Sequence, residues 1–234
     1  TILEKYRTAE SAAHPKLPAN GKKVAVIGAG PAGIAATAEL SRLGYRITLF
    51  ESFEKIGGAL NLIPDKRLPF EDWSFIDDPD MIELRLNTPV NNPAALLEQD
   101  FDGVIVATGE PEGINLGIDG EEHAVSYLDY LRHPEHYAAR GNIAVIGGGA
   151  VATDCALTAN NGAENVEMFV RRRVSDMRVT GEERKSLLDA GVDLTTMTKI
   201  KKIGADGDYL TLYTAKNRFN RGKLEEIPDT TIAR

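Results

Sequence analysis

The stretch from Val24 to Gly33, VAVIGAGPAG, constrains this 234-residue chain more than any other. Its apolar start predicts a buried parallel strand, and the spacing G-x-G-x-x-G follows where that strand turns into a helix. In this interpretation Gly28 permits the tight turn, Gly30 lets a pyrophosphate approach the backbone, and Gly33 lets the helix pack against the strand. The phosphates would bind at the helix N-terminus, where backbone N–H groups offset their charge.

The residues after this turn support the same interpretation. They predict a helix from Pro31 to Leu43 that ends at Gly44, followed by a strand from Arg46 to Phe50. Glu51 then comes about 20 residues after the glycines, where a carboxylate accepts hydrogen bonds from a ribose 2′-hydroxyl. We therefore predict an adenine dinucleotide site, with a plain α/β turn as the alternative.

A second glycine turn repeats this spacing later in the chain. A predicted strand from Asn142 to Ile146 leads into Gly147, Gly149 and Ala152, which follow the pattern G-x-G-x-x-G/A. Two such units in one short chain are improbable by chance. The repeat predicts two nucleotides held by two domains.

The strand after the second turn ends differently from its counterpart. Val166 to Val170 is followed by three consecutive arginines, Arg171, Arg172 and Arg173, where the first unit has an acid. A carboxylate would repel a 2′-phosphate, whereas an arginine can bind one with paired, charge-assisted hydrogen bonds. The alternative is a solvated basic turn.

Two further glycine-containing segments could contact the first nucleotide. Gly57 and Gly58 can bring backbone N–H groups against a cofactor, although a loop that needs positive φ angles is an alternative. A strand from Gly103 to Ala107 ends in Ala107-Thr108-Gly109, where small residues allow close approach of a ligand.

Composition excludes several classes of function. A net charge of −8 argues against nucleic acid or an anionic membrane as the main partner, and no apolar run reaches the length of a membrane span. The single cysteine, Cys155, allows no internal disulfide and predicts a reducing, cytoplasmic compartment. We interpret Cys155 as a small core residue, with a reactive thiol as the alternative. His133 and His136 have a spacing that could suggest a metal, but a surface turn is the better interpretation, so no metal is expected.

The other elements are predicted only coarsely. The expected strands and helices are a strand at Ile82 to Leu86, helices at Ala94 to Glu98 and Val125 to Leu131, a helix from about Gly181 to Ala190 capped by Thr180, and short strands at Asp193 to Thr198, Ile200 to Ile203 and Leu210 to Thr214.

Together these motifs resemble the flavoprotein unit of the glutamate synthase small subunit, shared in outline by dihydropyrimidine dehydrogenase and NADH-dependent ferredoxin:NADP oxidoreductases. This unit has the pyridine nucleotide-disulfide oxidoreductase fold without the cysteine pair. The matching pieces are GAGPAG at 28–33, Glu51, IGGAL at 56–60, IPDKRLP at 63–69, LNTPV at 86–90, ATG at 107–109, GGGAVATD at 147–154 and RRRVSDM at 171–177. The stretch GGALN is also similar to 2,4-dienoyl-CoA-reductase-like enzymes.

The resemblance implies that the first unit binds FAD and that the second binds NADPH. The implied FAD positions are Gly28, Gly30, Pro31, Ala32, Gly33, Glu51, Gly58, Leu60, Val90, Thr108 and Gly109, and the implied NADPH positions are Gly148, Gly149, Ala150, Val151, Arg171 and Arg172. NADPH would pass hydride to FAD, and electrons would leave toward a partner domain or subunit such as an iron–sulfur protein. No catalytic side chain is named, because the cofactors carry the chemistry. The alternative is a non-catalytic nucleotide-binding or structural subunit or fragment.

The expected fold class is α/β, with two Rossmann-like, three-layer dinucleotide-binding domains, the second inserted into the first. We expect a linker or arm at 1–20, the N-terminal part of an FAD-binding domain at 21–115 and an NAD(P)H-binding domain with a connecting segment at 116–234. The sequence stops at IPDTTIAR, where the family begins its return to the FAD domain, which suggests truncation. Val170 and Arg178 depart from the family pattern, which has an aromatic residue and a proline there.

Overall fold

The computed structural model describes residues 15–63, 78–109, 113–137, 141–207 and 209–233. The chain divides into two compact units between Pro111 and Glu112. Most of the predicted arm at 1–20 and most of the IPDKRLP motif lie outside the described residues.

The first unit is built around a parallel four-stranded sheet in the order β3-β2-β1-β4. Its elements are β1 Lys23–Ile27, α1 Pro31–Arg42, β2 Arg46–Phe50, a 3₁₀ helix at Gly58–Leu62, β3 Ile82–Arg85, a 3₁₀ helix at Pro93–Leu96 and β4 Gly103–Val106. These bounds confirm the predicted strand-turn-helix-strand unit. The helix predicted at 94–98 is wrong in type, since a single turn of this length favours 3₁₀ hydrogen bonding.

Strand β1 is buried on both faces of its sheet. Val24 and Val26 pack with Leu49 on one face, while Ala25 and Ile27 pack with Phe101 on the other. A central parallel strand covered on both sides needs a continuous apolar run rather than an alternating one, which is what the sequence has here. This buried strand carries the first glycine turn at its carboxyl end.

The described part of the N-terminal arm lies along the end of α1. The backbone N–H of Leu17 donates to the carbonyl oxygen of Arg42 at 2.7 Å, and that of Asn20 donates to Gly44 at 2.9 Å. Residues 15–20 therefore belong structurally to the first unit.

The second unit contains a parallel three-stranded sheet, β5-β6-β7, and an antiparallel sheet in which β8, β10 and β11 all pair with β9. Its elements are α2 Tyr127–Arg132, β5 Asn142–Ile146, α3 Ala150–Ala159, β6 Asn165–Val170, α4 Gly181–Asp189, β7 Asp193–Thr196, β8 Thr198–Asp206, β9 Tyr209–Asn220, β10 Lys223–Glu226 and β11 Ile232–Ala233, with 3₁₀ turns at Glu121–His123, Pro134–Tyr137 and Val174–Asp176.

The antiparallel sheet is where the predicted elements differ most from the structure. Strands β8 and β9 are much longer than the predicted segments, and β10 and β11 were not predicted. A register shift between Ile200 and Lys202 breaks the alternation of buried and exposed residues along β8. Alternation is the signal by which a half-buried strand is recognised, so this bulge obscures the strand in the sequence.

Two clusters of buried side chains form the core of the second unit. Val166, Met168 and Leu187 belong to one cluster, and Phe169 and Ile200 belong to the other. Adjacent residues of β6 thus enter different clusters, as expected for a strand covered on both faces.

Cys155 is also buried in the second unit, with 8% of its surface exposed, and burial raises the pKa of its thiol to about 11. Its interpretation as a small core residue is confirmed.

Every helix in the described ranges is short. The longest, α1, has 12 residues, and none of these helices is long and apolar enough to cross a bilayer.

Candidate nucleotide-binding sites

Two glycines of the first turn are required by the fold itself. Gly28 has a φ of +97°, and a Cβ there would lie 2.5 Å from the carbonyl oxygen of Ala107. A Cβ at Gly33 would overlap the carbonyl oxygen of Gly28. The turn, the first turn of α1 and the end of β4 are therefore locked together, and the roles predicted for these two glycines are confirmed.

Gly30 differs from these two glycines, because neither its backbone conformation nor a close neighbour requires a glycine at this position. Its φ is −78°, and a Cβ would find nothing closer than the Cα of Gly58, at 3.9 Å. The space above this residue is therefore open. Pro31 and Ala32, which follow it, are exposed on the first turn of α1. This opening is suited to a ligand that approaches the backbone.

The glycine pair of the EKIGGAL segment packs directly on the first turn. The N–H of Gly57 donates to the carbonyl oxygen of Ala29 at 2.7 Å, and a Cβ at Gly58 would lie 2.9 Å from the Cα of Gly30. Both glycines have positive φ, at +115° and +52°, so the conformational reason for this pair is confirmed. Leu60 is half-buried in the 3₁₀ turn that follows.

Glu51 is buried, with 5% of its surface exposed, and its carboxylate braces the same turn. One oxygen accepts a hydrogen bond from the N–H of Ala29 at 2.8 Å, and the other accepts from the N–H of Phe53 at 3.0 Å and the hydroxyl of Ser52 at 3.1 Å. A carboxylate has about four lone-pair sites, so one acceptor position is left for a further donor.

Of the other predicted FAD positions, the structure brings Thr108 to the first turn, followed in the chain by Gly109, and packs Val90 against a hydrophobic cluster. Thr108 is exposed, and its Cα would lie 3.1 Å from a Cβ at Gly28. Gly109 is exposed with a φ of +72°. Val90 is partly buried against the hydrophobic cluster that contains Ile27.

The second glycine turn resembles the first, with two closely packed glycines followed by an accessible one. A Cβ at Gly147, whose φ is +148°, would lie 2.9 Å from the Cβ of Ala152, and one at Gly148 would lie 2.5 Å from Val170. Gly149 has a φ of −114° and nothing within 4 Å of a Cβ, so its surroundings are open as they are at Gly30. Ala150 and Val151 follow it as exposed residues.

The α-helices that follow the two glycine turns differ from the other described α-helices in how they begin. The side chain of Ser126 accepts a hydrogen bond from the N–H of Asp129 at the start of α2, and Thr180 forms a capping box at the start of α4. Helices α1 and α3 begin at Gly30 and Gly149, and no side chain caps either of them within the described residues. Their N-terminal N–H groups are available to an external anion.

The arginine run after β6 is held by its backbone, which leaves its first two side chains available. The amide of Asn217, which is buried, donates to the carbonyl oxygen of Arg171 at 3.0 Å, and the N–H of Met197 donates to that of Arg172 at 3.0 Å. In the part of the chain that the structure describes, neither guanidinium has a hydrogen bond or ion pair. No sequence motif indicates Asn217, which is 46 residues away from Arg171.

Arg178 is a candidate site residue that sequence reasoning missed. Its N–H donates to the carbonyl oxygen of Gly148 at 3.2 Å, and it forms a parallel bridge with Gly149. Its side chain is exposed. The sequence showed this residue only as a departure from the family pattern, but the structure joins its backbone to the second turn.

His133, Glu135 and His136 form a separate, exposed cluster on a 3₁₀ turn, which confirms the predicted surface turn. The histidine rings stack with their centroids 4.9 Å apart, and one carboxylate oxygen of Glu135 lies 3.4 and 3.8 Å from their nitrogens. The three side chains could together reach a metal ion.

Comparison with known families gives two matches. Residues 82–224 match the family described as pyridine nucleotide-disulphide oxidoreductase, and residues 26–73 match an NAD(P)-binding Rossmann-like domain. The first match covers most of the chain.

The chain is similar to several curated proteins and solved structures. It is 35% identical over 188 residues to the NADP(+)-dependent formate dehydrogenase subunit beta of Moorella thermoacetica, covering 74% of this chain and 27% of that protein. It is 32% identical over 196 residues to the glutamate synthase (NADPH) small chain of Escherichia coli, covering 74% and 42%. A structure of 2-naphthoyl-CoA reductase matches 93% of this chain and 33% of its own, with a TM-score of 0.70 at 22% identity. The chain thus spans 27 to 42% of the length of these relatives, and the structural match confirms the α/β fold.

Proposed function

Because the chain belongs to the pyridine nucleotide-disulphide oxidoreductase family, we propose that it is a module that passes hydride from NADPH to FAD. Members of this family are NAD(P)-dependent flavin oxidoreductases, and they bind FAD and NADPH. The observation that carries the proposal is that each unit combines an accessible glycine, Gly30 or Gly149, with a helix that no side chain of the described residues caps.

The first unit fits FAD. The open backbone at Gly30 and the N-terminus of α1 receive the pyrophosphate, whose charge the helix N–H groups offset. Glu51 accepts a hydrogen bond from the adenosine ribose through its remaining acceptor position. A buried carboxylate at this point also repels a phosphorylated ribose, so this unit selects FAD rather than a second NADPH.

The second unit fits NADPH. The guanidinium groups of Arg171 and Arg172, which have no partner within the described residues, bind the 2′-phosphate through paired hydrogen bonds. Asn217 fixes the backbone from which Arg171 projects. Arg178, whose N–H is bonded to the glycine turn, adds positive charge beside the pyrophosphate.

The protein's part in this reaction is to bind and orient. The nicotinamide supplies a hydride and the flavin accepts it, so no acid or base among the side chains is assigned. The names of the two relatives describe a subunit beta and a small chain, which supports onward transfer of electrons to a partner domain or subunit, such as one that carries iron–sulfur clusters.

Flavin retention and reduction test the proposal together. The purified chain is incubated with FAD, separated from free flavin, and titrated with NADPH or NADH without oxygen. We expect retained yellow flavin that is bleached by NADPH at a lower concentration than by NADH. Binding of nucleotides without bleaching would favour a non-catalytic nucleotide-binding subunit, and binding of neither cofactor would contradict the proposal.

A further inference from the structure

Two histidines of the second unit project from the same short turn. His133 ends α2, where its backbone N–H donates to the carbonyl oxygen of Asp129 at 3.1 Å, and the 3₁₀ turn Pro134–Tyr137 follows directly. In 3₁₀ geometry, side chains three residues apart lie one above the other. His133 and His136 have this separation, and their rings are nearly parallel, with 15° between the planes.

The turn that carries these histidines is fixed to the rest of the second unit. The backbone N–H of His136 donates to the carbonyl oxygen of His133 at 3.0 Å. The ring of Tyr137 lies 6.2 Å from that of Tyr130, centroid to centroid, and Tyr130 packs against the core cluster that contains Met168. The folded chain itself therefore sets the backbone positions of both histidines.

The spacing of the donor atoms suits a tetrahedral metal ion. Ligand atoms bound about 2.0–2.1 Å from a tetrahedral Zn²⁺ lie about 3.3 Å from one another. One oxygen of Glu135 is 3.4 Å from Nδ1 of His133 and 3.8 Å from Nε2 of His136, and the ligand atoms of all three residues lie within 4.8 Å of one another. The three side chains are more than half exposed, so small rotations can close the remaining gap.

The donor set decides which metals fit. Imidazole nitrogen suits Zn²⁺, Ni²⁺ and Cu²⁺, whereas Mg²⁺ and Ca²⁺ require mainly oxygen ligands, of which this cluster offers one carboxylate. The simpler role for such a cluster is an exposed ion pair. His123 and Glu122 form a pair of that kind, 3.8 Å apart, and the described residues add no second histidine to it.

We propose that His133, Glu135 and His136 form a surface site for a divalent transition-metal ion of the zinc type. Two imidazole nitrogens and one carboxylate oxygen bind the ion, and a fourth position is left to water. No metal was expected from the spacing of the two histidines, but the structure adds Glu135 as a third ligand. None of the residues proposed to bind FAD or NADPH belongs to this cluster, so the inference does not depend on the proposed function.

Calorimetric titration of the full chain with Zn²⁺ tests the site. We expect one Zn²⁺ per chain, and His133→Ala, His136→Ala and Glu135→Gln should each weaken its binding by at least about tenfold. The double histidine variant should lose little more than either single variant, because the two side chains act on one ion. Mg²⁺ at the same concentration should not displace Zn²⁺. Far-UV circular dichroism checks that each variant is folded.

The matched controls are His123→Ala and Glu122→Gln, which alter an exposed histidine–glutamate pair of the same unit. Both should bind Zn²⁺ as the wild type does. Co²⁺ in place of Zn²⁺ should give visible absorption without a thiolate charge-transfer band, which excludes Cys155 as a ligand. Unchanged Zn²⁺ affinity in His133→Ala and His136→Ala, an equal loss in His123→Ala, or a thiolate band would each overturn the site. None of these results would alter the proposed function, which is tested by flavin and nucleotide binding.

Discussion

The carboxylate of Glu51 accepts a hydrogen bond from the backbone N–H of Ala29, 2.8 Å away, across the first glycine turn. Ala29 lies between Gly28 and Gly30, so the acid at the end of β2 is bonded to the loop at the end of β1. Glu51 therefore has a structural role in shaping the turn, in addition to the ribose contact expected from the sequence.

Replacing Glu51 with glutamine should weaken FAD binding by about 1.5 to 3 kcal/mol, or roughly 10- to 150-fold. The glutamine side chain lacks the negative charge that strengthens each hydrogen bond to Glu51. Its NH₂ group would also face one of the two backbone N–H groups that donate to the carboxylate. Equilibrium dialysis with FAD measures the effect.

The control for this change is Glu83→Gln, which removes an exposed carboxylate from the same unit. Its partners are the exposed side chain of Arg85 and the hydroxyl of the buried Thr48, so FAD binding should not change. NADPH affinity should be unaffected in both variants. A parallel loss of NADPH binding in Glu51→Gln would indicate a folding defect instead.

Gly30→Ala and Gly33→Ala should separate binding from folding within one motif. The added methyl at Gly30 makes only an ordinary contact with the Cα of Gly58, at 3.9 Å, so the free energy of unfolding should change by about 1 kcal/mol or less while FAD retention is lost. At Gly33 the methyl overlaps the backbone of Gly28, and the chain should be destabilised by about 3 kcal/mol or more. Denaturant unfolding and flavin content are measured on both. FAD retention by Gly30→Ala equal to that of the wild type would show that no ligand approaches this residue.

Gly149→Ala should abolish tight NADPH binding while FAD is retained. Gly149 has an ordinary φ and nothing within 4 Å of a Cβ, so the only expected clash is with the bound pyrophosphate. Gly181→Ala adds a methyl to open space at the start of a different helix of the same unit and should change neither affinity. If both variants bind NADPH normally, the second turn is not a phosphate site.

Replacing Arg171 and Arg172 together with alanine should weaken NADPH by about 2 to 4 kcal/mol, allowing for non-additivity of the two contacts. NADH lacks the 2′-phosphate, so the affinity for NADH should change much less. The preference for NADPH over NADH should therefore be lost. Titrations at two salt concentrations check this, with Arg46→Ala as a control that removes one exposed arginine from the first unit. Equal affinity of the wild type for both nucleotides would show the arginines to be a solvated turn.

Cys155 should resist alkylation in the folded chain until the pH approaches 11, the raised pKa of its buried thiol. The folded chain holds this proton more tightly than the unfolded chain, whose cysteine titrates at about 8.5. The resulting stabilisation is complete below that pH and is lost as the pH rises toward 11. Iodoacetamide labelling followed by mass spectrometry measures one site at most, since the chain has a single cysteine. Fast labelling of the folded chain at pH 8 would contradict the burial.

The parts of the fold that the sequence predicts correctly are local ones. The bounds of β2 and the turn that precedes α1 follow from apolar runs and glycine spacing within a few residues of each other. Glu51 and the arginine run were recognised because a Rossmann-type unit brings the end of its second strand to the first glycine turn.

The parts that could not be predicted depend on contacts between distant segments. Asn217 lies on β9 and donates a hydrogen bond to Arg171. The bulge in β8, which pairs with β9, makes this pair of strands hard to recognise in the sequence. Phe219 meets Arg173 only because the β9–β10 hairpin folds back on the arginine run. The bond from Arg178 to Gly148 uses a backbone N–H, which any residue except proline supplies, so the side chain type gives no signal.

Within the described residues helices α1 and α3 begin without a side-chain cap, so a bound anion would supply acceptors that the folded chain itself lacks. A ligand that supplies the missing acceptors only in the folded state stabilises it by about 2.7 kcal/mol when its free concentration is a hundred times its Kd. In a cell that degrades opened chains, the supply of either cofactor would then affect the abundance of the whole chain, because both units belong to it.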